Sequence, residues 1–149
     1  PSERLDATKN AAVQQIVFEE LIQFAMAANE RAIPNSMDGL KISYRQVVYT
    51  MLKPPKAGWQ EMSVITGWVK SKTKYHHADD AMIETLVGMA QGYPGSNNIP
   101  LLEGEGGYGS RLGGGKDHAA GRYLKGRGSP VLRFIFRPED DILLEPVYE

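Results

Sequence analysis

Arg122 and Tyr123 stand side by side in GGGKDHAAGRYLKG, residues 113–126, a stretch so rich in glycine that it can bury little. Three glycines, a charged pair and two alanines precede the pair, and Lys125, Gly126, Arg127 and Gly128 follow, so the tyrosine is expected to be exposed. A phenol has a pKa of about 10 and is mostly protonated at neutral pH. To act as a nucleophile it needs nearby cations that favour the phenolate and a preorganised positive site for the transition state. An Arg-Tyr pair alone carries no mechanism, so the surroundings must supply one. Histidines occur at 76, 77 and 118, and the chain has no cysteine. Two adjacent histidines without thiolates make a poor tetrahedral metal site. In KSKTKYHH they sit beside Lys70, Lys72 and Lys74, a composition suited to phosphate contact.

Two glycine motifs lead nowhere. GEGGYG, Gly104 to Gly109, satisfies G-x-G-x-x-G, but no helix opens after it. GGGKD resembles the end of a phosphate loop, yet Ser110 occupies the first glycine position and Asp117, not Ser or Thr, follows Lys116. The acidic pairs Asp79-Asp80 and Asp140-Asp141 raise the question of magnesium, but the first pair suits the positive end of a helix.

The elements that must position these groups are mostly helical. NAAVQQIVFEELIQFAMAANERAI places Val13, Ile16, Val17, Leu21, Phe24 and Ala25 near helical spacing, and the helix is expected to end near Asn29. SYRQVVYTML predicts a second helix with Ser43 as N-cap, stopped by Pro54 and Pro55. A third, from Gln60 to about Ser71, sets Met62, Ile65 and Val69 on one face. A fourth, DDAMIETLVGMAQG, has Met82, Ile83, Leu86, Val87 and Met89 as its apolar set. Residues 94–128 have the composition of turns and short strands. A last helix is expected over SPVLRFIF with Pro130 in its first turn, and DILLEPVYE has the pattern of a strand start. Helices followed by a small β-wing form a winged helix-turn-helix (CAP-like) domain, mostly α, over residues 1–149.

The 149 residues, 42% hydrophobic and 23% charged, suit one globular domain and exclude disorder and coiled coil. No apolar run reaches the length of a membrane span, no signal peptide is visible, and the chain reads as intracellular with no membrane partner. The formal net charge is −1, but its distribution is uneven: residues 41–127 hold 12 Lys and Arg against 7 Asp and Glu, and the flanks hold 5 against 11. A basic middle of this kind can neutralise backbone phosphates.

NERAIPNSMDGLKISYRQVVYTML, YHHADDAMIETLVGMAQGYPGSNN and EGGYGSRLGGGKDHAAGRY together resemble the breakage-reunion region of type IIA DNA topoisomerases, in the same order and at similar spacing. The resemblance covers roughly residue 18 to the C-terminus and leans toward the eukaryotic and large-virus branch. It implies that Tyr123 attacks a backbone phosphorus and holds the 5′ end of the cut strand, that Arg122 stabilises charge on that phosphate, and that His77 lies near the scissile phosphate. Arg31, Lys41 and Arg45 match basic residues that hold double-stranded DNA, and helix 79–92 matches the recognition helix. His76, Lys74, Arg111 and Lys116 complete the expected DNA-binding set.

The resemblance further implies Mg2+ held by an acidic fold outside this chain, ATP used by an ATPase part of the same enzyme, a homodimer, and, in a eukaryote, the nucleus. By this reading the chain is a fragment of a larger topoisomerase. Four departures stand out: Ala78 replaces the glycine after YHH, Ile42 replaces the proline after DGLK, Gly121 replaces Ser-Pro or Met before Arg-Tyr, and Gly126 and Gly128 are expected to loosen the strand after Tyr123. The alternative is a winged-helix module that binds DNA without cutting it.

Overall fold

A computed structural model describes residues 13–75 and 78–145 of the chain. The chain divides into two compact units, Pro1–Ile42 and Ser43–Glu149.

In the first unit, α1 (Val13–Gln15), a π-helical stretch (Ile16–Leu21) and α2 (Ile22–Ala32) follow one another without a break and bury no residue. The run extends past Asn29 to Ala32. It stops there because Pro34 disfavours helical backbone at the residue before it, and Ile33 is extended (φ −88°, ψ 124°). The following PNSMDGL is a compact turn: Asn35 Oδ1 accepts the Met37 N–H at 2.8 Å, and Asp38 Oδ1 accepts the Leu40 N–H at 2.9 Å. Gly39 supplies the left-handed φ of 68° that the turn needs.

The second unit carries the core. α3 (Ile42–Leu52) contributes Val47, Val48 and Met51, α4 (Met62–Thr73) contributes Met62, Ile65 and Val69, and α5 (Asp79–Ala90) contributes Met82, Leu86, Val87 and Met89. The α4 and α5 sets are those that helical spacing selects, apart from Ile83, which is only half-buried and abuts Gly121, whereas the set named for the first helix, Val13 to Ala25, is not buried. Ser43 lies inside α3 rather than capping it, since the helix already begins at Ile42. Three threonines stay in this core because each hydroxyl donates to the carbonyl four residues earlier: Thr50 to Gln46, Thr66 to Met62 and Thr73 to Val69, at 2.9, 2.9 and 2.7 Å.

α4 and α5 form the helix-turn-helix. Lys74 turns the chain in left-handed conformation (φ 49°, ψ 30°), and Lys70 on α4 ion-pairs with Asp79 at the start of α5. The wing is a three-stranded antiparallel sheet of β1 (Gln60–Glu61), β2 (Leu102–Glu105) and β3 (Lys125–Gly128), in the order β1-β3-β2. Gln60 pairs with Gly126 and Leu102 with Gly128. Gly126 and Gly128 do not loosen β3. They are points of close approach, where an added Cβ would sit 2.6 Å from Met62 Cε and 3.1 Å from Leu132 Cδ1. The result is the winged helix-turn-helix, mostly α with a small β-wing, that the sequence predicts.

The final segment departs from expectation. SPVLRFIF yields one short helix, α6 (Leu132–Ile135), with Pro130 in the turn that leads into it, and the expected strand start is helical: α7 (Asp141–Leu144). Residues 146–149 lie outside the described residues. A non-local clamp favours the helix, since Asp141 accepts hydrogen bonds from both Arg133 terminal nitrogens at 2.6 and 3.3 Å and an ion pair from Lys53 at 2.8 Å. Arg133 also donates to the Leu52 carbonyl at 2.9 Å, which ties the end of α3 to α6 and α7. No helix among the described residues is long and apolar enough to cross a membrane.

Hydrogen bonds from Arg133, and then from Lys53, hold the Asp141 carboxyl down at about 2. A depressed folded-state pKa contributes stability that is complete above the unfolded value of about 3.9 and disappears as pH falls through the folded value. Asp141→Asn should therefore lower the melting temperature at pH 7 and lose that effect between about pH 4 and pH 2. An equal deficit at pH 7 and pH 2 would show that the clamp does not depend on the carboxylate charge.

Candidate functional site

Tyr123 lies in a single 3-10 turn, Gly121–Tyr123, between the glycine-rich loop and β3. The turn is closed by the Tyr123 N–H donating to Ala120 O at 2.8 Å and the Leu124 N–H donating to Gly121 O at 3.2 Å. Its two ends are anchored. Leu124 is fully buried, and its carbonyl accepts the Met62 N–H at 3.2 Å, joining the turn to the start of α4. At the other end Gly121 abuts α5: a Cβ there would stand 2.7 Å from Ile83 Cγ2. A side chain at position 121 would require Ile83 to shift in this arrangement.

With both ends fixed, Tyr123 projects outward and is 68% exposed. The Arg122 guanidinium lies 4.9 Å from its ring centroid. Such a contact at an exposed site contributes about 0.5–1 kcal/mol and keeps the guanidinium beside the ring. Two other tyrosines differ. Tyr108 lies across Gly104, donates its hydroxyl to the Lys125 carbonyl at 2.7 Å, and burial pushes its pKa up to about 12. Tyr75 is half-buried, and burial raises its pKa above the ordinary value. Neither phenol is presented as Tyr123 is.

The loop before the turn is built on the C-terminus of α5. Gln91 Nε2 donates to Tyr108 O and Gly115 O, both at 2.9 Å, and Asn97 Nδ2 donates to Gly88 O at 2.7 Å and Gln91 O at 2.9 Å. The Ser96 hydroxyl is shared between Gln91 O and Tyr93 O at 3.1 and 2.6 Å. The Ser-Asn of GSNN thus serves the carbonyls that a helix end leaves without partners. Asp117 closes the loop by accepting the Ser110 N–H at 2.9 Å and the Ser110 hydroxyl at 2.6 Å. The hydroxyl and then the amide of Ser110 hold the Asp117 carboxyl below the usual carboxylate range. Gly109 and Gly115 approach so closely that a Cβ on Gly109 would lie 2.8 Å from Gly115 O. Neither GEGGYG nor GGGKD is a nucleotide loop: Gly104 lies in β2 and Asp117 ties off the turn.

The expected DNA-binding residues fall into three groups. Arg111 and Lys116 are exposed on the clamped loop, and Lys116 lines a hollow of about 390 Å³ with Glu84, Gln91 and His118. His118 Nδ1 donates to the Ala119 carbonyl at 2.8 Å. Arg45 lies on α3, half-buried, and Lys74 forms the α4–α5 turn. Arg31, whose Nε donates to Ala27 O at 3.2 Å, and Lys41 belong to the first unit. His76 and His77 lie outside the described residues.

Among the described residues no three His, Cys, Asp or Glu side chains gather where they could hold a metal. The sequence motifs did not reveal Gln91 as the loop anchor, because its partners are 17 and 24 residues away. Nor did they reveal the wing contacts of Arg127, which stacks 4.5 Å from the Trp59 ring centroid and pairs with Glu103 at 2.7 Å.

The family profile for the A subunit of DNA gyrase/topoisomerase IV matches residues 31–149. The chain belongs to that family. It is 41% identical to DNA topoisomerase 2 of Bombyx mori over 95% of this chain and 9% of that protein. It is 40% identical to DNA topoisomerase 2 of Arabidopsis thaliana over 100% of this chain and 10% of that protein. The solved DNA-binding, cleavage and re-ligation domain of Plasmodium falciparum topoisomerase II superposes with a TM-score of 0.78 at 36% identity, covering 87% of this chain and 19% of that one. The chain therefore spans about a tenth of the length of these curated relatives. The eukaryotic lean of the sequence strings agrees with these type II relatives.

The seating of the turn is testable through Gly121. Gly121→Ala should destabilise the domain by about 1–3 kcal/mol, the usual cost of overpacking. Adding Ile83→Ala should recover part of that loss, giving a favourable coupling of about 0.5 kcal/mol or more in a double-mutant cycle followed by denaturant unfolding. Strict additivity would show that the turn does not rest on Ile83.

Proposed function

We propose that this chain is the tyrosine-bearing, DNA-binding and DNA-cleaving winged-helix domain of a type IIA DNA topoisomerase, a single functional domain within a larger, ATP-hydrolysing enzyme. The observation that carries the proposal is the Arg122-Tyr123 turn, anchored by Gly121 and Leu124 and otherwise exposed.

The Tyr123 hydroxyl oxygen attacks a backbone phosphorus. A bond forms from the tyrosine oxygen to phosphorus, the bond to the 3′ oxygen breaks, and the proton lost by the phenol is balanced by one gained at the departing 3′ hydroxyl. The 5′ end stays on the protein as a phosphotyrosyl ester. Because one phosphodiester-type bond replaces another, the reverse attack reseals the strand without a ligase. Arg122 offers two parallel N–H donors to the phosphate oxygens, a geometry that lysine cannot copy. His77 adds a further donor to the same phosphate. Double-stranded DNA is held by Arg31, Lys41, Arg45, Lys74, His76, Arg111 and Lys116 through its backbone, so these residues position rather than specify.

Mg2+ and ATP belong, in this reading, to other parts of a homodimeric enzyme that acts on DNA inside the cell, in the nucleus if the source is eukaryotic. The described residues offer no set of carboxylates that fits a magnesium ion.

In the full-length enzyme, Tyr123→Phe should leave DNA affinity within about twofold and abolish DNA that remains protein-linked through its 5′ end after detergent denaturation. Arg122→Lys should be nearly as damaging. His77→Ala should slow cleavage by about 10²–10³, the usual cost of one transition-state donor. A normal level of adduct from Tyr123→Phe would leave DNA binding without cleavage as the better account.

A further inference from the structure

Leu112 is completely exposed, at 100% of its accessible surface, on a loop that is otherwise tightly determined. Its neighbours explain how it is held out. Asp117 grips Ser110 through both carboxylate oxygens, the Gly115 N–H returns to Ser110 O at 2.9 Å, the Gly114 N–H to Arg111 O at 3.2 Å, and Gln91 holds Gly115 O from α5. Arg111 precedes Leu112, and Lys116 stands on the same loop. Of the carboxylates nearby, Asp117 is committed to Ser110, and Glu84 faces the hollow beside Lys116. A leucine cannot bind phosphate, and nothing in the loop covers it. A hydrogen-bonded loop that carries one exposed apolar side chain together with two exposed cations suits a nucleic-acid groove, where cations meet the phosphates and an apolar side chain meets sugars and base edges. A protein partner selected for apolar contact would be less well served by flanking cations.

We propose that Leu112 makes an apolar contact inside a groove of duplex DNA, with Arg111 and Lys116 on the flanking phosphates, and that it contributes to the choice of binding position. The proposal rests on the DNA-binding reading above and extends it to a residue without charge. Because the loop is clamped before binding, little ordering entropy opposes the contact.

The test measures equilibrium binding of the full-length enzyme and its variants to a panel of duplexes of differing sequence, across a range of salt concentrations. Leu112→Ala should weaken binding by about three- to tenfold, the loss expected for an exposed leucine that becomes buried on association. The loss should vary between duplexes, and the slope of log affinity against log salt should stay unchanged. Arg111→Ala and Lys116→Ala should instead weaken all duplexes alike and reduce the slope by about 0.9 each. Unchanged thermal unfolding of Leu112→Ala is expected, since the side chain is fully exposed. If wild-type enzyme binds duplex and Leu112→Ala binds equally well, the inference is wrong and the DNA-binding reading stands. If Leu112→Ala alters only self-association or capture of another protein, the side chain faces protein instead and the inference is again wrong. A wild-type full-length enzyme that binds no duplex at any salt would remove the DNA-binding reading itself.

Discussion

Leu124 has no exposed surface, and the direction of everything around it follows from that burial. Its side chain is fully buried, its carbonyl takes the first N–H of α4, and β3 begins at the next residue. One residue earlier the backbone is still in a 3-10 turn, so Tyr123 cannot share the inward direction and is left facing solvent. Burying a leucine side chain contributes about 1.5–3 kcal/mol, enough to fix one short turn. Gly121 completes the constraint from the other side, because its missing side chain lets Ile83 of α5 close against the backbone. The tyrosine is positioned by the residues around it and makes little contact of its own apart from Arg122.

The same economy extends through the glycine loop. A segment with little apolar content could be mobile, yet here polar clamps replace a core: Gln91 from the end of α5, Asp117 on Ser110, and Ser96 with Asn97 on the helix terminus. These bonds connect α5, the basic loop and the tyrosine turn into one scaffold within the second unit. Preorganisation of this kind matters for phosphoryl transfer, where catalysis is mostly positioning and electrostatics. A Tyr123 hydroxyl carried on a freely moving loop would spend most of its time away from an in-line approach.

Much of this was legible from sequence for a physical reason. Met62, Ile65 and Val69, and Met82, Leu86, Val87 and Met89, repeat at the helical period because one face of each helix must be buried, so pattern and burial coincide. The exposure of Tyr123 followed from the poverty of apolar neighbours. What could not be read depends on distant partners. β1 is two residues long, and its register comes from Gly126 and Lys125, far along the chain. Ile142, Leu143 and Leu144 form a short apolar run whose period is ambiguous, and Arg133 and Lys53 favour helix by gripping Asp141. Gly121, Gly126 and Gly128 read as departures or as looseness because a sequence shows a missing side chain but not the neighbour that occupies its space.

The proposed function requires the second unit to present Tyr123 to a DNA phosphate. The most direct test is to trap the full-length enzyme on radiolabelled duplex with denaturant, digest protein and DNA, and locate the modified residue by peptide mass spectrometry. The predicted result is a 5′-phosphonucleotide on the hydroxyl of Tyr123 and none on Tyr75 or Tyr108. A nucleotide found on another residue, with Tyr123 recovered unmodified, would contradict it.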